Sequence, residues 1–435
     1  MSQSTDTCGA HELFQPGAGP TSAPPTARVL GAAAVGNLLE WYDWGVYGFL
    51  ITYIGLNFFP SGSSSATLMM TFAAFGAGFL MRPLGAVAAG WIGETHGRKD
   101  ALLVTLLVMA MGTVPIAFIP SYQSIGLWAP LLLLLCRLLQ GLSTGGELGG
   151  SLAFLAEWAP ARHRGLYVSL QQASTHGGTL LGSAAAASLN AVLTPEQMND
   201  WGWRLPFLAG GALLPVALWL RFNIDETPCY LAAKRGAAAA SVPARELARA
   251  MGLIAAPVAC QYLFFTYMAT FAVRYGGLTE AEALGANTAA LAMLMLCTPI
   301  MGAASDRFGR KPLLLAASML LLLAAGPVFA SVASAPGAAS VLILQALLAI
   351  VVSMLHGAGP AAVTELFPTH GRALLVSIAY GLGVALAGGF APLAAIWLID
   401  RTGSPAAPAL YIAAACGITA WSAARMPETA QRRLA

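Results

Sequence analysis

Charge is what this 435-residue chain has least of. Asp, Glu, Lys and Arg together make up 9% of it, against about 25% in an ordinary soluble domain. A water-facing surface cannot be built from so little. Cysteine is sparse too: Cys8, Cys136, Cys229, Cys260, Cys297 and Cys416 show no Cys-x-x-Cys or Cys/His ligand spacing. They read as small apolar packing residues, not as a metal or disulfide frame. There is no His-Glu-x-x-His, no Gly-x-Ser-x-Gly and no His/Asp cluster, so a membrane-bound transferase or hydrolase lacks its metal set or nucleophile; no enzyme activity, metal or cofactor is expected. A membrane sensor or scaffold would need a sizeable soluble output module, and none is present. The first 27 residues are polar and rich in Pro, Thr, Ser and Gly, without a basic start ahead of a short apolar core. They read as a disordered tail rather than a signal peptide. The net charge of +3 is small enough to report topology rather than a nucleic-acid partner.

Apolar residues fill the space, at 57%. The expected fold is an all-α integral membrane protein, since the chain has room for about twelve spans of ~20 residues. The alternating ten-residue segments of an outer-membrane barrel are absent. Apolar segments run over about 29–59, 66–93, 100–119, 125–156, 165–193, 203–224, 248–273, 283–304, 312–332, 339–366, 373–398 and 406–425. One set of connections carries Arg98, Lys99, Arg162, Arg164, Arg221, Lys234, Arg235, Arg245, Arg249, Arg307, Arg310, Lys311 and Arg372. The other carries only Arg204, Arg274 and Arg401. By the positive-inside rule the first set is cytoplasmic, and so are both termini. The polar stretch 225–247 divides a six-helix bundle over 28–224 from a second over 248–426, with tails at 1–27 and 427–435.

A few polar residues interrupt the spans. Glu40 and Asp43 sit mid-way in the first, three residues apart and therefore on one side of a helix. An ionised carboxylate in hydrocarbon costs about 2.5–3.5 kcal/mol, so each is expected to face a cavity or a buried partner and to be able to carry a proton. Asn37 and Tyr47 lie on the same span. On the fourth span Arg137, Gln140, Thr144 and Glu147 make a polar stripe among small residues, either an Arg–Glu pair between helices or a carboxylate ligand beside a proton carrier. Arg82, next to Pro83, is either an interfacial snorkelling residue or a second anion ligand. Gln172, His176 and Thr179 share a stripe on the fifth span, and His176 titrates near working pH. The second half is poorer, with Gln261 and His356 isolated in apolar sequence. Proton coupling is assigned to one or more of Glu40, Asp43 and Glu147, and substrate binding to Asn37, Tyr47, Arg82, Arg137, Gln140, Gln172, His176, Gln261 and His356.

An internal repeat supports the division into halves. Gly90-x-x-x-Glu94-x-x-Gly97-Arg98-Lys99 follows the second span, and Gly302-x-x-Ser305-Asp306-Arg307-x-Gly309-Arg310-Lys311 follows the eighth. Glu157-x-x-Pro160-x-x-x-Arg164 and Glu365-x-x-Pro368-x-x-x-Arg372 follow the fourth and tenth. Duplicated six-helix units are typical of transporters. The loop motif resembles the signature of the major facilitator superfamily. Gly36-Asn-x-x-Glu-Trp-Tyr-Asp, Arg82-Pro-Leu-Gly and Arg137-Leu-Leu-Gln-Gly-x-Ser-x-Gly-Gly-Glu147 resemble its metabolite:proton symporter family. Leu68 to Gly85, with Met109-Ala-Met-Gly-Thr113, is most similar to the citrate and tricarballylate branch.

The resemblance implies two pseudo-symmetric bundles alternating around a midplane site. It also implies a cytoplasmic gate, onto which Glu94, Arg98, Asp306, Arg307 and Arg310 map, with Glu157–Arg164 and Glu365–Arg372 as candidate pairs. The first loop copy has Glu94-Thr95-His96 where Asp-Arg-x is usual, so the second is the stronger gate. The function implied is import of an organic anion with protons across a bacterial inner membrane, the anion being a di- or tricarboxylate such as citrate or tricarballylate. The alternatives are α-ketoglutarate, shikimate or a zwitterionic osmolyte such as proline or betaine, and after them an efflux antiporter. Reorientation of the empty, deprotonated carrier is expected to be disfavoured, because it buries bare charge.

Overall fold

The computed structural model describes residues 26–96, 98–145, 148–222, 244–335, 337–369, 371–432 and 434, and the described residues form helices without a strand. In hydrocarbon every backbone N–H and C=O must be paired within the chain, which leaves the helix as the natural element for these apolar runs. The first half contains α1 (Thr26–Phe49) and α2 (Ile51–Phe58), then α3 (Ser64–Leu80) and α4 (Arg82–Thr95). It continues through α5 (Arg98–Thr113), the short α6 (Tyr122–Ile125), α7 (Trp128–Thr144), α8 (Leu148–Trp158), α9 (Arg164–Val192), the short α10 (Pro195–Asp200) and α11 (Leu205–Phe222). The second half contains α12 (Ala244–Tyr262), α13 (Met268–Gly276), α14 (Glu280–Phe308), α15 (Arg310–Ala333) and α16 (Ala338–Glu365). It ends with α17 (Arg372–Val384), α18 (Ala391–Thr402) and α19 (Pro408–Arg425). Paired end to end, these helices make the twelve expected passes. Seven of the passes are long and apolar enough by length and composition to cross a membrane.

Several passes are broken where the sequence dictates it. Pro83 stands in the first turn of α4, where a missing N–H needs no partner, and the second pass breaks at Met81. The fourth pass is described as α7 up to Thr144 and as α8 from Leu148; Gly146 and Glu147 between them lie outside the described residues. The seventh and eleventh passes each widen into a π-helical turn, Leu263–Tyr267 and Ala385–Gly389. Most of the expected 225–247 linker is also outside the described residues, and α12 already begins at Ala244.

Glycine sets the closest approaches. A Cβ at Gly141 or Gly145 would fall on the carbonyls of Gly78 and Arg82, and one at Gly85 on that of Leu142, so the second and fourth passes touch backbone to backbone. Between the halves there are two seams. α9 runs along α14 and α16, while α17 packs against α4 and α8 and α18 against α3. The outward surface is apolar, with Leu84, Val87, Trp91, Met111, Leu296, Ile300, Leu323 and Trp421 exposed.

Candidate functional site

The most polar part of the interior is assembled by α1, α4 and α7. Arg137 is completely buried, and none of Nε, Nη1 and Nη2 has a hydrogen-bond partner. Its guanidinium lies 4.2 Å from the Tyr47 ring and 5.2 Å from the Trp44 ring. Arg82 is buried as well, 4.4 Å from Phe79, 4.9 Å from the same Trp44 and 5.2 Å from Trp41. Its Nε and Nη2 have no partner. Two guanidiniums therefore share one indole. The aromatic floor is pinned: Trp44 Nε1 donates to Thr144 Oγ1 at 3.1 Å, and the Tyr47 hydroxyl donates to the Thr71 carbonyl at 3.1 Å. Tyr262 brings the second half to this floor, its ring 5.3 Å from Phe79.

The two carboxylates of α1 diverge. Asp43 Oδ2 accepts from Thr113 Oγ1 at 2.5 Å, and that hydroxyl accepts from Gln140 Nε2 at 2.8 Å. Asp43 also lies within electrostatic range of Arg137, while Glu40 lies within range of Arg82 and Tyr262. Each acid thus acts electrostatically on a different arginine. Asp43 Oδ1 is unpartnered, and Asp43 and Thr113 line a cavity of about 20 Å³, enough for about one water. Thr113 stands in the sequence only as part of a motif; nothing in its spacing marks it as the link between Gln140 and Asp43.

Other candidates separate by their partners. Both ends of the Asn37 amide are engaged by α9, with Nδ2 donating to Ser174 Oγ at 2.7 Å and Thr175 Oγ1 at 3.0 Å, and Oδ1 accepting from Gln171 Nε2 at 3.2 Å. The structure makes Asn37 a fastener between helices. Tyr47 contributes its ring rather than its engaged hydroxyl. Gln261 is buried with Oε1 unpartnered. His176 and His356, on different halves, meet with ring centroids 4.7 Å apart. Gln172 and His356 line a second water-sized cavity together with Tyr380. Glu147 and the side chains of Glu94 and Arg98 lie outside the described residues.

On the face bearing the basic loops, the duplicated motifs exchange partners. The sequence suggested Glu157 with Arg164 and Glu365 with Arg372; the pairs formed are instead Arg164–Glu365 at 3.1 Å and Arg372–Glu157 at 2.8 Å. The cause is local. Nε of Arg164 donates to the Ala156 carbonyl and Nε of Arg372 to the Thr364 carbonyl, each eight residues upstream, which aims both Nη groups at the opposite half. Asp306 accepts from the backbone N–H groups of Gly165 and Leu166 at 2.8 and 3.0 Å, closing the first turn of α9. Arg310 bridges Asp306 at 2.8 Å and Glu365 at 3.2 Å. Gly309, at φ +99°, allows the turn that starts α15 here. Arg307 points outward and is exposed.

The chain beyond α19 reinforces this face. Glu428 accepts from the N–H groups of Arg310, Lys311, Thr429 and Ala430. Burial works to raise its carboxyl, but these four donors outweigh it and hold Glu428 below the ordinary glutamate value. Thr429 Oγ1 donates to Glu365 at 2.6 Å, and the Arg432 carbonyl accepts from Arg164. On the far face Ser65 joins Arg274 and donates to Asp400 at 3.3 Å, and Ser183 meets Thr288 at 2.8 Å. The halves are in contact at both ends at once.

The family model described as "Sugar (and other) transporter" matches residues 29–248, and that described as "Major Facilitator Superfamily" matches 260–433. The citrate-proton symporter of Klebsiella pneumoniae is 41% identical over 88% of each chain. The alpha-ketoglutarate permease of Escherichia coli K12 is 39% identical over 85% of this chain and 86% of its own. The proline/betaine transporter of the same organism is 32% identical over 94% and 84%. Among solved structures, a proton:xylose symporter superposes with a TM-score of 0.73 at 17% identity, over 94% of this chain and 97% of that one, which speaks for the fold alone.

Proposed function

The chain belongs to the major facilitator superfamily, and from that premise we propose that it is a proton-coupled symporter importing a di- or tricarboxylate of the citrate type. The observation that carries this reading is Arg137: a buried guanidinium, fully desolvated, without a hydrogen bond, beside a carboxylate that can take a proton. A planar guanidinium suits a carboxylate bidentately, and Arg82 offers a second such fork on the other contact of Trp44.

The coupling follows from counting charge. With Asp43 ionised and no substrate, Asp43 and Arg137 sum to zero, and the empty carrier can return. With Asp43 protonated and one substrate carboxylate on Arg137, the sum is again zero. Proton without substrate leaves +1, and substrate without proton leaves −1. Each mixed state buries an unpaired charge, which is strongly unfavourable. The sequence alone suggests that return of the empty, deprotonated carrier is disfavoured; with Arg137 acting on Asp43, we infer instead a neutral route for it. Symport needs that return, and the pair makes it neutral. Glu40 and Arg82 repeat the arrangement for a second carboxylate and a second proton.

Citrate-like anions are favoured over zwitterionic osmolytes by the aromatic rings. A quaternary ammonium is held by open aromatic faces, whereas Trp44, Tyr47 and Phe79 here already carry guanidiniums. The basic face is assigned to the cytoplasm by the positive-inside rule, with both termini there, in a bacterial inner membrane.

The test is uptake of radiolabelled citrate into proteoliposomes under an inward proton gradient. Stimulated uptake, abolished by a protonophore and by Arg137→Gln, is expected. Gradient-driven uptake of proline or betaine without citrate would replace the substrate and leave the coupling standing.

A further inference from the structure

The least explained feature of the interior lies on the seam between the halves. His176 on α9 and His356 on α16 meet edge to face, their planes at 86° and centroids 4.7 Å apart. They are 0% and 6% exposed, and no nitrogen of either ring has a hydrogen-bond partner. The Pro257 carbonyl lies beside His356 without closing a bond of good geometry. Buried polar atoms left unpaired are unfavourable. A purely packing role would be filled by Leu or Met without that penalty.

The surroundings say what such a pair would bind. Gln172 stands one turn before His176, and Tyr380 and His356 line the same small cavity with it. Imidazole, amide and phenol can each donate and accept while neutral. That donor set matches a carboxyl or hydroxyl group and offers no counter-charge to an ammonium. The helix that carries Tyr380 also reaches the second pass: Gly381, next to Tyr380, packs against Pro83, next to Arg82.

We propose that His176 and His356 are the two halves of one substrate subsite, parted when the bundles open and closing together on a carboxyl or hydroxyl group at the end of the substrate away from the arginines. This rests on the polycarboxylate reading above and adds where the second end binds. One imidazole comes from each bundle, so the full contact forms only as the halves approach. Its interaction therefore favours closure more than initial binding, and should appear in the rate of translocation rather than in affinity.

The experiment is citrate uptake kinetics in proteoliposomes holding the full chain, with His176→Ala, His356→Ala, His176→Asn and His356→Gln. Each Ala variant is expected to lower the maximal rate at least tenfold with KM changed less than threefold, and the Asn and Gln variants to recover to within threefold of the unaltered carrier. Ala variants at the normal rate, or Asn and Gln variants as slow as Ala, overturn the subsite, the latter result making the rings structural. If the Ala variants do not survive size-exclusion chromatography, the Asn and Gln pair decides: rates within threefold support the subsite, and losses beyond tenfold overturn it. Arg137→Gln run alongside separates the two readings. Normal citrate uptake in that variant sinks the polycarboxylate site whatever the histidines do. Failure of the unaltered chain to carry citrate, tricarballylate or 2-oxoglutarate overturns both.

Discussion

Asp43→Asn isolates the coupling from the binding. Asparagine can still accept from Thr113, so the hydrogen-bonded chain from Gln140 is kept. What changes is the charge count. The substrate-loaded site stays neutral, because the asparagine amide imitates the protonated acid, but the substrate-free site now holds Arg137 uncompensated at 0% exposure. Removing one partner of a buried pair costs about 3–5 kcal/mol. At about 1.4 kcal/mol per tenfold in rate, the lower bound alone slows the empty return by at least about 100-fold. Net, gradient-driven citrate uptake should fall by that factor. Exchange of internal for external citrate, which never requires the empty return, should remain within a few-fold of normal and lose the part of its dependence on external pH that Asp43 supplies, leaving that of Glu40. The assay is entrance counterflow measured beside net uptake in the same vesicles. Equal loss of both would show that Asp43 serves binding or folding. Undiminished net uptake would place the coupling proton elsewhere, with Glu40 the next residue to neutralise.

The two exchanged ion pairs should be unequal although their motifs are duplicates: Glu365 is buried at 3% side-chain exposure and holds Arg164 and Arg310, whereas the Glu157 side chain is 41% exposed. Glu365→Gln should therefore loosen the basic face by about 3–5 kcal/mol and Glu157→Gln by less, because buried Arg372 keeps its bonds to the Thr364 and Phe367 carbonyls, read as the alkylation rate of a Ser169→Cys probe in inside-out vesicles; similar rates in the two variants would refute the ranking. Glu428 is held below the ordinary glutamate value when folded, so its contribution is fully present above about pH 4.5 and lost as pH falls through the lowered value. Glu428→Gln should lower the melting temperature of the purified carrier by about 1–4 °C near neutrality, with the difference shrinking as pH falls through the lowered value. Gly141→Ala puts a methyl group on the Gly78 carbonyl and should destabilise by about 1–3 kcal/mol or more, while Gly417→Ala, with open space around it, should be neutral or slightly stabilising; thermal melting in detergent checks both.

The passes and the duplication were legible because apolar length and motif register are properties of local sequence. So was the presence of Arg137, Asp43, His176 and His356, since a polar group in hydrocarbon stands out against its neighbours. Pairing was not legible. Each half carries the same Glu-x-x-Pro-x-x-x-Arg phrase, and the choice of neighbour depends on where the Nε of Arg164 and Arg372 is anchored, which is a matter of backbone carbonyls eight residues away. A helical wheel puts Glu40 and Asp43 on one side, but the rotation of about 60° between positions three apart is enough to bring them under the influence of Arg82 and of Arg137 respectively. The polar stripe of the fourth pass is described as far as Thr144, with Arg137, Gln140 and Thr144 all buried, and its last member, Glu147, lies outside the described residues.

Duplication and chemistry are distributed differently in this molecule, and the difference bears on how it moves. The paired motifs build the closure of the basic face, where each half supplies an arginine and a glutamate to the other. A contact of that kind is made and broken as a unit, because parting the bundles exposes both pairs together. The acid–arginine pairs of the floor have no counterpart near it among the described residues of the second half, whose own pairs of Arg310 with Asp306 and Glu365 lie on the basic face; its contribution near the floor is the ring of Tyr262 and, across the seam, the ring of His356. Charge compensation can therefore be completed inside the first bundle alone, before the halves approach. Around the floor, closure then depends on second-half groups that are neutral, the charged Glu365 and Arg372 lying on the basic face. Under the proposed coupling, that order keeps a half-loaded site from closing cheaply: at the floor the second half brings no charge with which to cancel a missing proton or a missing carboxylate.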